Sequence, residues 1–340
     1  MRVCNATIVI PTQNRRDDLG SPRATARRPR AAPEVLVIDD GSTDGTGEFV
    51  RRTFPRVRVD RQEKSRGLIV ERNHGARIAT RDVVISVDDD CTFESPRTIV
   101  QTLADFDHPR VGAVAIPYIE PKISNVELSG APRGPEHDAT VWCTWTYNGC
   151  AHAVRRDLFL RLGGYFEPLF QYKEEVDYCA RLLDAGYVVR MGRADAIAHH
   201  QTPVTRPKLR HRYMHARSTQ MFAWRNTPMP WLVAHLGATT LREVPMALKF
   251  GGPWHTLKGV VAGHVDGLRH LGSRGPVSTR TYNALRAMKG SGFPQRWPGL
   301  PLADVEKIIG PSPAPLPPIA PTIDAPRGDV PAATPTTSAH

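Results

Sequence analysis

The chain has 340 residues, long enough to bury the core of one large α/β domain and still carry an appendage. Its apolar share of 40% is modest and its 31 prolines are many, which excludes a chain that is packed throughout. The formal net charge of +11 sits in residues 201–300, where fifteen Lys/Arg face only Glu243 and Asp266, so the charge suggests a polyanion or an anionic membrane surface as partner.

In chain order, residues 6–10 are a short β-type run closed by Pro11, and the polar residues 12–19 should open a helix. That pattern then fails: residues 20–33 are rich in Pro and Arg, lack an apolar stripe and read as a flexible basic loop. Residues 34–38 are a second buried-strand run, ending in Asp39-Asp40 and the Gly/Ser/Thr turn 41–46. A helix over 47–54 follows, with Asp44 or Thr43 as its N-cap. Residues 57–59 are a weak third strand, and 67–79 a helix containing Glu71, Arg72 and Asn73. Residues 83–87 are apolar and mostly β-branched, as in a strand buried on both faces. This strand runs into three carboxylates, Asp88-Asp89-Asp90. Such charges are costly in a core but suit the open mouth of an α/β sheet, where ligands bind. Asp88 and Asp90, two apart on an extended segment, point the same way and could share a divalent cation; a solvated turn that caps a helix is the alternative.

Residues 97–107 read as a helix, 111–116 as a strand, 117–140 as loop and 148–154 as a strand. A short helix over 156–162 stops at Gly163-Gly164. Residues 173–182 form an amphipathic helix whose first turn holds Glu174, Glu175 and Asp177. Strands at 188–191 and 196–200 close the unit. Alternation at this spacing predicts an α/β fold with a doubly wound, mostly parallel sheet and both acid pairs on one edge. Residues 205–225 are basic and aromatic, residues 229–250 and 254–271 predict amphipathic helices, and residues 311–340, with nine prolines, cannot bury a core.

The five cysteines are scattered and odd in number, without a CxxC pair, which argues against a disulfide framework or a zinc ribbon and fits a reducing cytosol. With no signal peptide before the first strand and no long uncharged apolar segment, a cytoplasmic location is expected. No GxGxxG or GxxxxGK[ST] run is present, against a dinucleotide fold or a P-loop, and no recognition motif accompanies the charge, so nucleic acid is not an expected partner.

Asp39, Asp88, Asp90, Glu175 and His199 all fall at strand ends or a helix start on one edge, a set suited to metal-plus-phosphate chemistry. Over roughly residues 6–202 the motif order resembles the inverting family 2 glycosyltransferases of GT-A fold, rhamnosyltransferase-like members among them. Val9-Ile10-Pro11-Thr12-Gln13-Asn14-Arg15 resembles the opening strand and loop, and Val37-Ile38-Asp39-Asp40-Gly41-Ser42 the nucleotide-binding motif. Arg72-Asn73-His74-Gly75 resembles the segment before the metal strand, and Asp88-Asp89-Asp90 stands where the family has its DxD motif. Residues 148–166 resemble the acceptor-side segment, and Glu174-Glu175-Val176-Asp177 the "ED" motif.

The resemblance implies that Pro11, Thr12, Asn14, Asp39, Asp40, Arg72, Asn73, Asp88 and Asp89 line the donor site. It implies that Asp88, Asp90 and His199 (with His200 as the other candidate) hold Mn²⁺ or Mg²⁺, that Glu175 is the catalytic base, and that Gly149, Glu174 and Asp177 lie on the acceptor side. The implied reaction moves a sugar, with inversion, from a UDP-, dTDP- or GDP-linked donor to a hydroxyl of a glycan or lipid-linked glycan of the cell envelope. The expected domains are a catalytic unit over 1–204, a basic helical extension over 205–300 resting on the inner membrane face, and a disordered Pro/Ala/Thr-rich tail over 301–340. Two other classes remain: a non-catalytic nucleotide-sugar or glycan-binding protein on the same fold, and a nucleotidyltransferase, which would lack its usual Gly-rich opening loop. One departure stands out, since the family's amphipathic helix between the first two strands is replaced here by the Pro/Arg-rich residues 20–33.

Overall fold

The computed structural model describes residues 2–16, 32–135, 137–200, 208–250, 252–290, 299–310 and 322–324, with residues 316 and 319. The chain begins with strands β1 (Arg2–Thr12) and β2 (Ala32–Asp39), helix α1 (Thr46–Thr53), β3 (Arg58–Arg61), helix α2 (Leu68–Ile78) and β4 (Val83–Val87). Then come β5 (Cys91–Phe93), α3 (Thr98–Ala104), β6 (Val111–Ala115), β7 (Tyr118–Glu120), β8 (Ser124–Leu128), β9 (Trp142–Thr144) and β10 (Ala151–Arg155). Helices α4 (Arg156–Arg161) and α5 (Glu174–Asp184) and strands β11 (Val188–Met191) and β12 (Ile197–His199) complete the site-bearing part. Helices α6 (Lys208–Asn226), α7 (Met229–Phe250), α8 (Pro253–Arg269) and α9 (Thr279–Gly290) follow, then β13 (Gly299–Pro301), α10 (Leu302–Ile309) and β14 (Thr322–Asp324).

The main sheet runs β13-β9-β11-β6-β10-β4-β1-β2-β3. Its β4-β1-β2-β3 half is parallel, which puts the carboxyl ends of these strands, and therefore Thr12, Asp39 and Asp88, on one edge. The other half departs from the mostly parallel sheet expected: β10 runs antiparallel to both β4 and β6, and β9 antiparallel to β11. The α/β sheet is thus mixed. Alternate residues of each central strand feed two cores. Ile8, Ile85 and Val87 meet α3, α9 and α10 on one face, whereas Val9 and Val84 meet α2, α4 and α5 on the other.

Residues 118–128, expected as loop, form the β7–β8 hairpin of a second sheet ordered β5-β12-β7-β8. Residues 302–309, expected as part of the tail, form α10, with Leu302 and Val305 buried against the core. Farther on, β14 pairs antiparallel with the start of β1, Arg2 opposite Asp324. Most of the Pro/Arg-rich loop lies outside the described residues, whereas residues 32 and 33 belong to β2.

The basic region 205–300 is mostly helical where described, ending in β13, and α8 packs on α6 with its small face. A Cβ added at Gly259, Gly263 or Gly267 would lie 2.3–2.4 Å from Tyr213 O, Arg217 O or the Trp224 ring. The large apolar residues of α8 (Trp254, Leu257, Val261, Val265, Leu268) are left exposed at spacings of three and four, as are Val233, Leu241, Val244 and Leu248 of α7. A soluble surface helix normally does the reverse. Among the described residues no helix is long and apolar enough to cross a membrane.

Candidate active site

The metal-like corner forms where β4 ends. Thr12, at the end of neighbouring β1, donates its hydroxyl to Asp89 Oδ2 at 2.8 Å, and Arg15 Nε lies 3.5 Å from the other oxygen. Asp89 is thereby tied back to the β1 loop; burial lifts its carboxyl to about 6 despite the help of Arg15 and Thr12. Asp88, Asp90 and His199 each offer one ligand atom, all within 4.8 Å of one another. The imidazole arrives through strand pairing, since β12 runs antiparallel to β5 with His199 opposite Cys91. Its Nε2 lies 3.4 Å from Asp90 Oδ1, and its Nδ1 lies 3.6 Å from Glu120 Oε1 on β7. Burial pulls the His199 pKa down, but Asp90 and the Cys150 thiol carry it up to about 11. Two carboxylates and an imidazole fit a hard-to-borderline divalent cation such as Mn²⁺ or Mg²⁺. His200 stands outside this trio, with Nε2 2.9 Å from Thr92 Oγ1.

Arg72 of α2 links this corner to the acidic start of α5. Buried behind the site, it donates through Nη2 to Asp88 Oδ1 at 2.7 Å and to the Gly149 carbonyl at 2.8 Å. Its Nη1 lies 3.6 Å from Glu174 Oε1 and 3.6 Å from Glu175 Oε1. Burial works against the guanidinium charge, but Asp88 and Glu175 more than offset it, and the proton is held more tightly than usual. The two glutamates move the other way. Burial, with the charge of Glu175 beside it, lifts Glu174 to about 8, and burial lifts Glu175 as well. Glu174 is fully buried, whereas the Glu175 side chain keeps 17% of its surface open. Only glycine fits at 149, where a Cβ would lie 2.4 Å from Glu175 Oε1 and 2.9 Å from Arg72 Nη1.

At the other end of the edge, Asp39 is wholly buried; Oδ1 accepts the Ser42 amide at 2.9 Å, while Oδ2 has no hydrogen-bond partner and lies 3.7 Å from Arg61 Nε. A buried carboxylate oxygen left this way is costly unless a ligand donor reaches it. Asn14, in the left-handed region at φ 53°, ties the loop after β1 to the turn after β2 by donating its amide to Ser42 Oγ and accepting the Thr43 amide, both at 2.9 Å. Asp44, expected as the N-cap of α1, accepts the Thr46 amide at 2.9 Å, one residue before the Gly45 cap position.

Four expected site residues are structural instead. Pro11 sits buried within β1, in register with Ile38. Asp40 accepts Ser65 Oγ and the amides of Arg66 and Gly67 at 2.6–3.1 Å, which consumes both of its oxygens in fixing the turn before α2. Asn73 exchanges hydrogen bonds with the Tyr165 backbone, both at 2.8 Å, and donates to Glu167 at 3.0 Å. Asp177 is buried and accepts from Arg181, Arg225 and Asn226 at 2.6–3.1 Å, so it joins α5 to α6 rather than meeting an acceptor. Conversely, Arg61, Glu120 and Cys91 reach the site without a linear motif to mark them, and Arg15 and Cys150 lie in the opening-loop and acceptor-side motifs, where the resemblance assigns them no site role. Of the first three, only Cys91, directly after the acidic triplet, carried a signal in the sequence.

Residues 7–161 match the family profile described as glycosyl transferase family 2. An N-acetylglucosaminyl-diphospho-decaprenol L-rhamnosyltransferase of Mycobacterium tuberculosis is 28% identical over 255 residues, covering 62% of this chain and 81% of that protein. A pre-mycofactocin glycosyltransferase of the same organism is 29% identical over 211 residues, 58% of this chain and 43% of the relative. Among solved structures, a mannosyltransferase from Pyrobaculum calidifontis in complex with GDP-Man and Mn²⁺ aligns at TM-score 0.49 and 20% identity, over 79% of this chain and 87% of that one.

Proposed function

Because the chain carries a family 2 glycosyltransferase domain over residues 7–161, we propose that it is an inverting, metal-dependent GT-A enzyme that moves a sugar from a nucleoside-diphosphate donor to a hydroxyl acceptor. The observation that carries this reading is Arg72, whose one guanidinium joins Asp88 to Glu175 and makes the metal corner and the glutamate pair one electrostatic unit. Glu175 lies beyond the matched span, so its role rests on this geometry.

Asp88, Asp90 and His199 would hold Mn²⁺ or Mg²⁺, which when bound offsets the charge of the departing nucleoside diphosphate. The unpaired oxygen of Asp39 receives an N–H of the donor base. Glu175, the more open of the two glutamates, takes the proton of the acceptor hydroxyl as that oxygen attacks the anomeric carbon from the face opposite the leaving group. Arg72, 3.6 Å from Glu175 and hydrogen-bonded to Asp88, favours the ionised form of Glu175 against the burial that raises it.

By its name, the Mycobacterium rhamnosyltransferase relative acts on a diphospho-decaprenol-linked sugar. We extend this to a lipid-linked acceptor here, on the cytosolic face of an anionic membrane, supported by the basic zone and the exposed apolar rows of α7 and α8.

Nucleotide release over a panel of UDP-, dTDP- and GDP-sugars, with lipid extract as acceptor, tests the reading. Release from one donor is expected with Mn²⁺, lost with EDTA and reduced by about 10²–10⁴-fold in Asp90→Ala and Glu175→Gln. Donor binding without release from folded protein would select the non-catalytic alternative.

A further inference from the structure

The imidazole at the metal corner faces a second group of ligands. Cys91, Cys150 and His199 each offer one atom, and these atoms also lie within 4.8 Å of one another. The fold makes the group: Cys91 opens β5 opposite His199 on β12, and Cys150 precedes β10, the antiparallel neighbour of β4. Both cysteines are free, and the Cys91 thiol donates to the Cys150 carbonyl at 3.6 Å. The donor chemistry here differs from that of the carboxylates alongside. Two sulfurs and an imidazole select thiophilic cations, whereas Asp88 and Asp90 select hard ones.

We propose that Cys91, Cys150 and His199 form an inhibitory site for a thiophilic divalent cation, Zn²⁺ above all, that competes with the catalytic cation for His199. In a tetrahedral zinc site with bonds of about 2.0–2.3 Å, ligand atoms stand some 3.5–3.8 Å apart, so the side chains need close in by at most about an ångström. Binding forms two S–Zn bonds and releases both thiol protons to solvent. Asp90, 3.4 Å from His199 Nε2, stands ready to complete the shell with oxygen. Glu120 Oε1 stands 3.6 Å from Nδ1, on the other side of the ring. Zinc bound at the thiols through Nε2, the nitrogen 3.4 Å from Asp90, removes that ligand from the carboxylate site. This inference rests on the metal-dependent reading above for its inhibitory consequence, but not for the binding itself.

The test uses reduced, metal-free full-length protein and Co²⁺ as the probe. A thiolate-to-cobalt charge-transfer band in the near ultraviolet is expected, abolished in both Cys91→Ser and Cys150→Ser and retained in Cys143→Ser, whose thiol is buried elsewhere. No band in the parent protein, or a band surviving in both site variants, overturns the proposal. In the nucleotide-release assay with Mn²⁺ fixed, Zn²⁺ should inhibit the parent at least about ten-fold more strongly than either site variant; equal inhibition overturns the competition. Absence of any turnover with the band present would count against the catalytic reading alone.

Discussion

Glu174 and Glu175 share one cation, Arg72, and both are raised by burial. A base must be ionised, so activity rises with pH as Glu175 loses its proton, and the acid limb of kcat/KM should sit above the ordinary glutamate value of about 4.3. Glu174, raised to about 8, is neutral while Glu175 loses its proton, so Glu174→Gln should leave that limb in place and turnover within a few-fold; a limb that moves downward would show that Glu174 carries its charge there. The same pair sets a stability trend. Glu174 holds its proton more tightly folded than unfolded, so its contribution is present below about 4.5 and is lost as pH rises through about 8. Glu174→Gln should therefore be more stable than the parent above pH 8, with the difference closing toward pH 5, as denaturant midpoints across pH would read. At this scale the sequence discriminates poorly between look-alikes. Asp88, Asp90 and Glu175 were legible because motif order put them on one edge. Asp40, Asn73 and Asp177 lie in the same motifs, yet their hydrogen bonds go to loops and helices that only the tertiary structure brings near.

Elements were legible where burial on both faces demands apolar β-branched residues, as in β2, β4 and β6, and where an acidic first turn precedes an amphipathic run, as in α5. The β7–β8 hairpin was not, because β8 is largely exposed and carries Ser124, Asn125 and Glu127 in place of an apolar alternation. Helix α6 showed only as charge, since its polar and apolar residues do not segregate to two faces: it is covered by α8 and α7 and touches α5. The α5–α6 contact turns on Asp177. Asp177→Asn leaves Arg181 and Arg225 without their carboxylate, each about 15% exposed, and should cost roughly 3 kcal/mol, read as a lower urea midpoint. A loss below about 1 kcal/mol would mean that Arg225 finds a substitute. Arg225→Ala should cost less than Asp177→Asn, because the Arg181 pair survives it.

For the whole molecule, the consequential feature is the inverted packing of α8. Its glycines face α6, and Trp254, Leu257, Val261, Val265 and Leu268 face out, beside the exposed row on α7 and within a zone of strong positive charge. Water alone gives no reason to arrange a helix this way, since about 25 cal/mol per Å² of apolar surface stays unburied. An anionic bilayer would supply one, with the rows entering the acyl boundary and Lys258, Arg242 and Arg269 among the headgroups. The protein should therefore co-sediment with vesicles containing anionic lipid at low salt, much less with neutral vesicles, and less as salt rises, because screening reaches full effect within about 10 Å at 0.1 M. Val261→Asp with Leu268→Asp should abolish sedimentation while leaving the denaturant midpoint within about 1 kcal/mol, both positions being exposed. Equal binding of parent and variant would remove α8 from the interface. A parent that ignores anionic vesicles but dimerises in their absence would assign the same apolar rows to a second copy of the chain.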